Sequence, residues 1–299
     1  MTTHDTARAA LAPLQGISDA LVALAAGAAP AVVSVRSHRS RSSGFVWRPG
    51  LIVTADEALA EEGEVSVSFA GAEPVAAKIL GRDATTDIAL LRIETSGPAP
   101  AVLASPRLAV GALALAVGAD EEGTTAALGI VSRAGGPWRS MRGGEIDSRL
   151  ELAMPLGRRA EGGLVLDAAG QAFGMAVFGP RRRVLVIPSA TIERVAARLE
   201  THGRIARGYL GLGLQPVAVD GGEESGAMVM SVDPKGPGAA AGVRQGDVIT
   251  AWNDEPIRSF HTLLQALGPD SVGRTVALGL RRAGESRRIS LTIAERPPA

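Results

Sequence analysis

The stretch GLIVTADEAL, Gly50–Leu59, runs from the apolar Leu51-Ile52-Val53 into the polar turn Thr54-Ala55-Asp56-Glu57. Apolar strands that end in a polar turn can deliver side chains to a cleft, so Asp56 and Glu57 are candidates for acid–base chemistry. The same acids can equally occupy a place where other chemistry has been replaced. Other reactive groups are few. The chain has no cysteine, which excludes a thiolate nucleophile, thiolate metal sites and a disulfide framework. Its four histidines are His4, His38, His202 and His261, and His38 falls in the polar run RSHRSRSSG.

The elements that must position these groups follow from composition and spacing. With 299 residues the chain is long enough for more than one domain. Its 31 basic and 31 acidic side chains balance, so there is no global case for nucleic acid or an anionic membrane as partner. Aromatic residues are only 3%, so the cores must be built from Val, Leu, Ile and Ala. The N-terminus MTTHDTARAALAPLQ lacks a basic segment followed by an apolar one. That pattern predicts no signal peptide and hence a cytoplasmic protein. ALVALAAGAAPAVVSV is broken by Gly27 and Pro30, which predicts no membrane span.

Residues 1–16 are expected to be a flexible N-terminus, and 17–26 a short helix. From Val32 the texture changes to short β-branched runs separated by Gly, Pro and Asp: AVVSV, SGFVW, LIVTA, EVSVSF, AAKIL and IALLRI. After TSGPAPAVLASP a second set follows: ALALAVG, AALGIVSR, LELAM, GGLVL, AFGMAVF and VLVIP. Two blocks of six strands predict two antiparallel barrels, about 30–103 and 104–190. A helix, SATIERVAARLETHG, comes next, with Ser189 as N-cap and Gly203 as stop, and closes a domain spanning 17–200. The strands then restart, predicting a third unit over 207–296.

That third unit carries the clearest motif. SVDPKGPGAAAGVRQGDVITAWNDEPI resembles the core of a PDZ domain of the kind found in bacterial HtrA (Deg) proteases, through Ala241–Ile249. The resemblance places a carboxylate-binding loop at Tyr209, Leu210, Gly211 and Leu212. Such a loop offers successive backbone N–H groups to a peptide C-terminus, while the adjacent strand edge accepts the peptide by β-addition.

The two barrels resemble the trypsin-like protease domain of the same family. SSGFVWRPGLIVTADEAL, GRDATTDIALLRI, GGLVLDAAGQAFGMAV and VLVIPSA match its motifs in order. The fold class this implies is mostly β: two trypsin-like six-stranded barrels followed by an α+β PDZ domain. A trypsin-like site needs a hydroxyl to attack, an imidazole to take its proton and a carboxylate to hold the imidazole. Asp87 falls on the family's aspartate position, Glu57 on the histidine position and Glu161 on the serine position. Losing one essential member of such a triad removes about 10⁶-fold of turnover. The expectation from these substitutions is a pseudo-protease, not an enzyme, with no cofactor.

If the barrels bring Glu57, Asp87 and Glu161 together, they cannot all stay ionised and unpaired. The expected resolutions are pairing with Arg158 or Arg159, a divalent cation held by the three acids, or rotation into water. The expected partners are peptides or protein C-termini at the PDZ domain and an active protease homologue. The alternative activity is an HtrA-type serine endopeptidase. A further alternative is a cation-binding protein. Arg181, Arg182 and Arg183 in GPRRRVLV fall in the loop that borders the family's specificity pocket, as recognition groups for acidic peptides or as a solvated turn. No aromatic residue precedes Phe45, which speaks against a trimer built through N-terminal aromatics.

Overall fold

The computed structural model describes residues 3–297 except 39, 62, 96, 220–223 and 258–259. The chain divides into two compact units, Met1–Trp138 with Glu145–Arg204, and Arg139–Gly144 with Ile205–Ala299.

In the first unit, helix α1 (Thr3–Ala28) precedes strands β1 (Val32–Ser37), β2 (Ser40–Arg48), β3 (Leu51–Thr54), β4 (Val65–Ser68), β5 (Val75–Asp83) and β6 (Ile88–Ile93). These close into a barrel in the order β1-β2-β3-β6-β5-β4. A second barrel uses β7 (Leu113–Asp120), β8 (Gly123–Gly135), β11 (Arg149–Ala153), β12 (Leu164–Leu166), β13 (Ala172–Phe178) and β14 (Val184–Pro188), in the order β11-β14-β13-β12-β7-β8. The short strands β9 (Trp138–Arg139) and β10 (Glu145–Ile146) pair with each other. Relabelling the second set one to six gives the same circular order as the first, so the two barrels share one topology. Each is filled by apolar side chains: Val33, Val35, Val46, Ile52, Leu91 and Ile93 in one, Val131, Leu150, Leu152, Val165, Phe173 and Val186 in the other. Full closure leaves no exposed sheet edge in either barrel.

Helix α2 (Ser189–His202) ends as the sequence predicts, on Gly203 in the left-handed conformation, whose N–H bonds to the Leu199 carbonyl. The expected N-cap is corrected. Pro188 holds that position, and the Ser189 hydroxyl instead donates to the Ala104 carbonyl at 2.6 Å. Helix α1 is far longer than the short helix expected over 17–26. Alanine-rich sequence carries it through Pro13, Gly16 and Gly27. The stretch Ala12–Ala31, from within α1 into the turn that follows it, is long and apolar enough to cross a membrane.

The second unit contains β15 (Gly208–Tyr209), β16 (Leu212–Val219), β17 (Glu224–Val232), helix α3 (Pro237–Ala240), β18 (Val248–Trp252), β19 (Glu255–Pro256), helix α4 (Phe260–Ala266), β20 (Thr275–Arg282), β21 (Glu285–Thr292) and β22 (Ala294–Glu295). Its main sheet runs β16-β17-β18-β20-β21, which leaves β16 on an edge. Pro216 within β16 fits that place, since proline cannot donate to a ladder on both sides. The core beneath the sheet contains Leu210, Val229, Ile249, Leu263, Leu278 and Ile293.

Candidate active site

Strand β3 delivers the turn that carries Asp56 and Glu57. Thr54 ends the strand, its hydroxyl donating to the Ser43 carbonyl at 2.7 Å. Asp56 is buried and Glu57 exposed. The Asp56 carboxylate accepts a charge-assisted bond from Arg82 Nε, and the same guanidinium donates to the Asp56 carbonyl at 3.0 Å and the Ala60 carbonyl at 2.9 Å. One arginine thus neutralises Asp56 and ties both ends of the turn. Asp56 is an anchor, and Glu57 beside it is exposed. Sequence reasoning did not find Arg82, which lies 26 residues from its partner on another strand.

Asp87 lies in the turn between β5 and β6. Asp83 builds that turn: its carboxylate accepts the Thr85 N–H at 3.0 Å and the Thr86 hydroxyl at 2.7 Å. Asp87 itself has φ +58°, a left-handed conformation that Asp tolerates better than most residues. From there its Oδ1 accepts the backbone N–H of Glu57 at 2.7 Å. The backbone of position 57 thus lies against the carboxyl of position 87. Burial, the largest cause, raises the Asp87 pKa from the ordinary 3.8 to about 8, against the Glu57 N–H and with the added repulsion of Glu57, Glu161 and Asp56.

Glu161 follows the tight turn Arg158–Ala160. Gly162 beside it has φ +85°, and a Cβ there would collide with the Ser43 carbonyl, so β2 and this turn approach more closely than any other residue allows. The Glu161 carbonyl accepts the Ser43 N–H at 2.7 Å. The Ser43 hydroxyl donates to the Arg159 carbonyl at 2.6 Å and accepts the Ala119 N–H at 2.9 Å, which stitches the two barrels together behind the site. The expected pairing of Glu161 with Arg159 is corrected: Arg159 turns to Asp120 at 3.2 Å. The Glu161 carboxyl instead accepts the Phe178 N–H at 3.3 Å. Burial raises its pKa; the Phe178 N–H opposes this, Glu57 adds repulsion, and the charges of Arg158 and Arg182 act in the lowering direction.

Burial, with the charges of Glu57 and Glu161 close by, favours the protonated form of Asp87. Carboxyl groups of unequal proton affinity can divide the roles of proton donor and proton acceptor. No group of three or more His, Asp or Glu side chains has an arrangement for a metal ion among the described residues, so the cation expected at Glu57, Asp87 and Glu161 finds no support there.

In the second unit the loop Tyr209-Leu210-Gly211-Leu212 enters the edge strand β16. Its path is fixed by backbone bonds from Gly238 N–H to the Leu210 carbonyl, 2.7 Å, and from Asp233 N–H to the Gly211 carbonyl, 2.8 Å. Gly211 has φ +71°, and a Cβ there would sit 2.8 Å from Gly236 Cα. Tyr209 donates its hydroxyl to Asp233 at 2.9 Å, which raises the tyrosine pKa. The Gly-Asp pair of the sequence motif does structural work here. Gly246 has φ +88°, and Asp247, buried, accepts two bonds from Arg282, at 2.7 and 2.8 Å, and one from the Arg244 N–H.

Residues 42–175 match the family model of a trypsin-like peptidase domain, and residues 208–293 that of a PDZ domain. A probable periplasmic serine endoprotease, DegP-like, of Brucella suis biovar 1 (strain 1330) is 30% identical over 275 residues, 86% of this chain and 53% of the relative. The periplasmic pH-dependent serine endoprotease DegQ of Escherichia coli (strain K12) is 30% identical over 259 residues, 82% of this chain and 56% of the relative. Among solved structures, the serine endoprotease from Yersinia pestis superposes with a TM-score of 0.70 at 25% identity, covering 93% of this chain and 98% of the other. The chain spans about half the length of the curated relatives it matches.

These likenesses bear out the two-barrel and PDZ architecture and overturn one expectation. Relatives over more than four-fifths of the chain are named serine endoproteases, so the expectation of a chain that is not an enzyme is corrected. The same relatives are named periplasmic, and α1 is long and apolar, so the cytoplasmic expectation is not supported either.

Proposed function

The chain belongs to the HtrA (Deg) family, a trypsin-like two-barrel domain followed by a PDZ domain, and from that premise we propose that it is an endopeptidase acting on polypeptides whose free C-termini its PDZ loop captures. The observation that carries the capture is the edge position of β16 directly after the loop Tyr209–Leu212. An edge strand has a row of backbone groups open to a further strand, and the loop supplies N–H groups for the terminal carboxylate.

Endopeptidase action is supported by the naming of the relatives, and the backbone of Glu57 lies against the Asp87 carboxyl. Positions 57 and 161 hold Glu in this chain, so the attacking group is assigned to a water molecule. One carboxylate takes a proton from that water as its oxygen adds to the peptide carbonyl carbon, and a protonated carboxyl gives a proton to the departing amine. This is the division of labour open to carboxyls whose proton affinities have been driven apart. A location outside the cytoplasm accords with the periplasmic relatives.

The test is a fluorogenic unfolded polypeptide prepared with a free C-terminal carboxylate and, separately, with a C-terminal amide. The free acid is expected to bind at least about tenfold more tightly, a difference of about 1.4 kcal/mol, and to be cut faster. Gly211→Val should abolish that preference. Equal binding of acid and amide would overturn capture by the PDZ loop, and binding without any cleavage would overturn the endopeptidase reading.

A further inference from the structure

Three arginines converge on a single carboxylate outside the core of the second barrel. Leu150 and Leu152 of β11 point into that core, so Glu151 between them lies on the opposite face. Its side chain is nevertheless only 10% exposed, because arginines cover it. Arg149, two residues along the same strand, bonds at 2.8 Å; Arg133, its cross-strand partner on β8, lies at 3.4 Å; Arg183, from the loop before β14, lies at 3.5 Å. The three guanidiniums remain 58%, 41% and 52% exposed for Arg133, Arg149 and Arg183.

One carboxylate offers two oxygens, whereas three guanidiniums carry fifteen N–H donors in rigid forks. Local charge is +2, and the three side chains stay partly exposed at positions that Glu151 has already fixed. Arg181 and Arg182 extend the same loop, both in the left-handed conformation with φ +58° and +56°. Non-glycine residues hold such angles only where their surroundings enforce them. Here the Gly179 N–H bonds to the Arg183 carbonyl at 2.8 Å, and the Arg182 guanidinium stacks 4.9 Å over the Phe178 ring. Phe178 is also the residue whose N–H holds Glu161, so the cationic surface starts at the edge of the cleft.

We propose that Arg133, Arg149 and Arg181–Arg183 form a docking surface for an acidic segment of the polypeptide bound in the cleft, with side-chain carboxylates completing the coordination that Glu151 leaves unfilled. The proposal rests on the polypeptide-binding reading above. An acidic peptide fits better than a nucleic acid because the chain as a whole is neutral and the excess charge is local, continuous with the place where a polypeptide would run.

The experiment measures binding to the full chain of a ~15-residue unstructured peptide with adjacent Asp and Glu residues, amidated at its C-terminus so that the PDZ loop is not engaged. The matched Asn/Gln peptide should bind about tenfold more weakly, and raising salt from ~50 to ~500 mM should erase the difference. Arg181→Ser with Arg182→Ser should erase it too, while free-acid binding at the PDZ loop stays unchanged; Arg133→Gln, on the strand, provides an independent second variant. Equal affinity for the two peptides, unchanged affinity in folded variants, or an equally tight fit of an oligonucleotide of matched charge would overturn the proposal. Acid-selective binding without cleavage would uphold it while the endopeptidase reading fell.

Discussion

Glu151 and Asp87 are two acids withdrawn from solvent within the same unit, and their surroundings are opposite. Glu151 lies under three guanidiniums, more positive charge than it can neutralise. Asp87 receives a backbone N–H, and its charged neighbours are Glu57, Glu161 and Asp56. Asp56, immediately before Glu57, falls between the extremes, with one arginine for one carboxylate. The chain has arginine enough to neutralise a buried acid where it stabilises a turn or a sheet. In the cleft, burial and neighbouring acids raise the pKa values of Asp87 and Glu161 instead.

The contrast breaks most readily at Asp87. Its folded pKa is raised, so its contribution to stability is fully present below about 3.8 and is lost as pH rises through about 8. Wild-type stability should therefore fall across that window. Asp87→Asn, which tolerates the same left-handed backbone, should flatten the fall and leave the protein more stable at pH 8 by on the order of a few kcal/mol, read from calorimetric melting at the two ends of the window.

Glu151→Gln should act in the reverse direction. With the single negative charge gone, three half-exposed guanidiniums face one another, and a loss of about 2 kcal/mol is expected after allowing for solvent screening. Melting in high salt should recover part of it. Arg82→Ala should also cost about 2 kcal/mol, by leaving the buried Asp56 without its partner, and should open the 55–60 turn to limited proteolysis. The smallest effect belongs to Glu161→Gln, within about 1 kcal/mol, because the amide oxygen can still accept the Phe178 N–H and no compensating arginine bond is broken.

Much of this architecture was legible in the sequence. All twelve barrel strands were visible as short β-branched runs between Gly, Pro and Asp, because barrel strands bury one face and turn sharply. Glu57 and Asp87 were found because each follows a strand in a motif of fixed spacing. What escaped was side-chain partnership across the sheet. Arg133, Glu151 and Arg183 are remote in sequence and adjacent only once β8, β11 and β14 are registered. Sequence neighbours misled in the other direction: Arg159 stands two residues from Glu161, yet the turn between them points it at Asp120. The sequence reading stopped helix α1 before Gly27 and began it only at residue 17, although alanine-rich sequence continues the helix through Pro13, Gly16 and Gly27.

Hydrolysis of unfolded casein by the purified protein, with products identified by mass spectrometry, tests the carboxyl-based cleft most directly when wild type is compared with a Glu57→Gln, Glu161→Gln double variant. Fragments from the wild type, none from the folded variant and no labelling of either by a serine-directed phosphonate are the predicted results. A wild type that yields no fragments, or a variant that cuts as fast, would contradict the account.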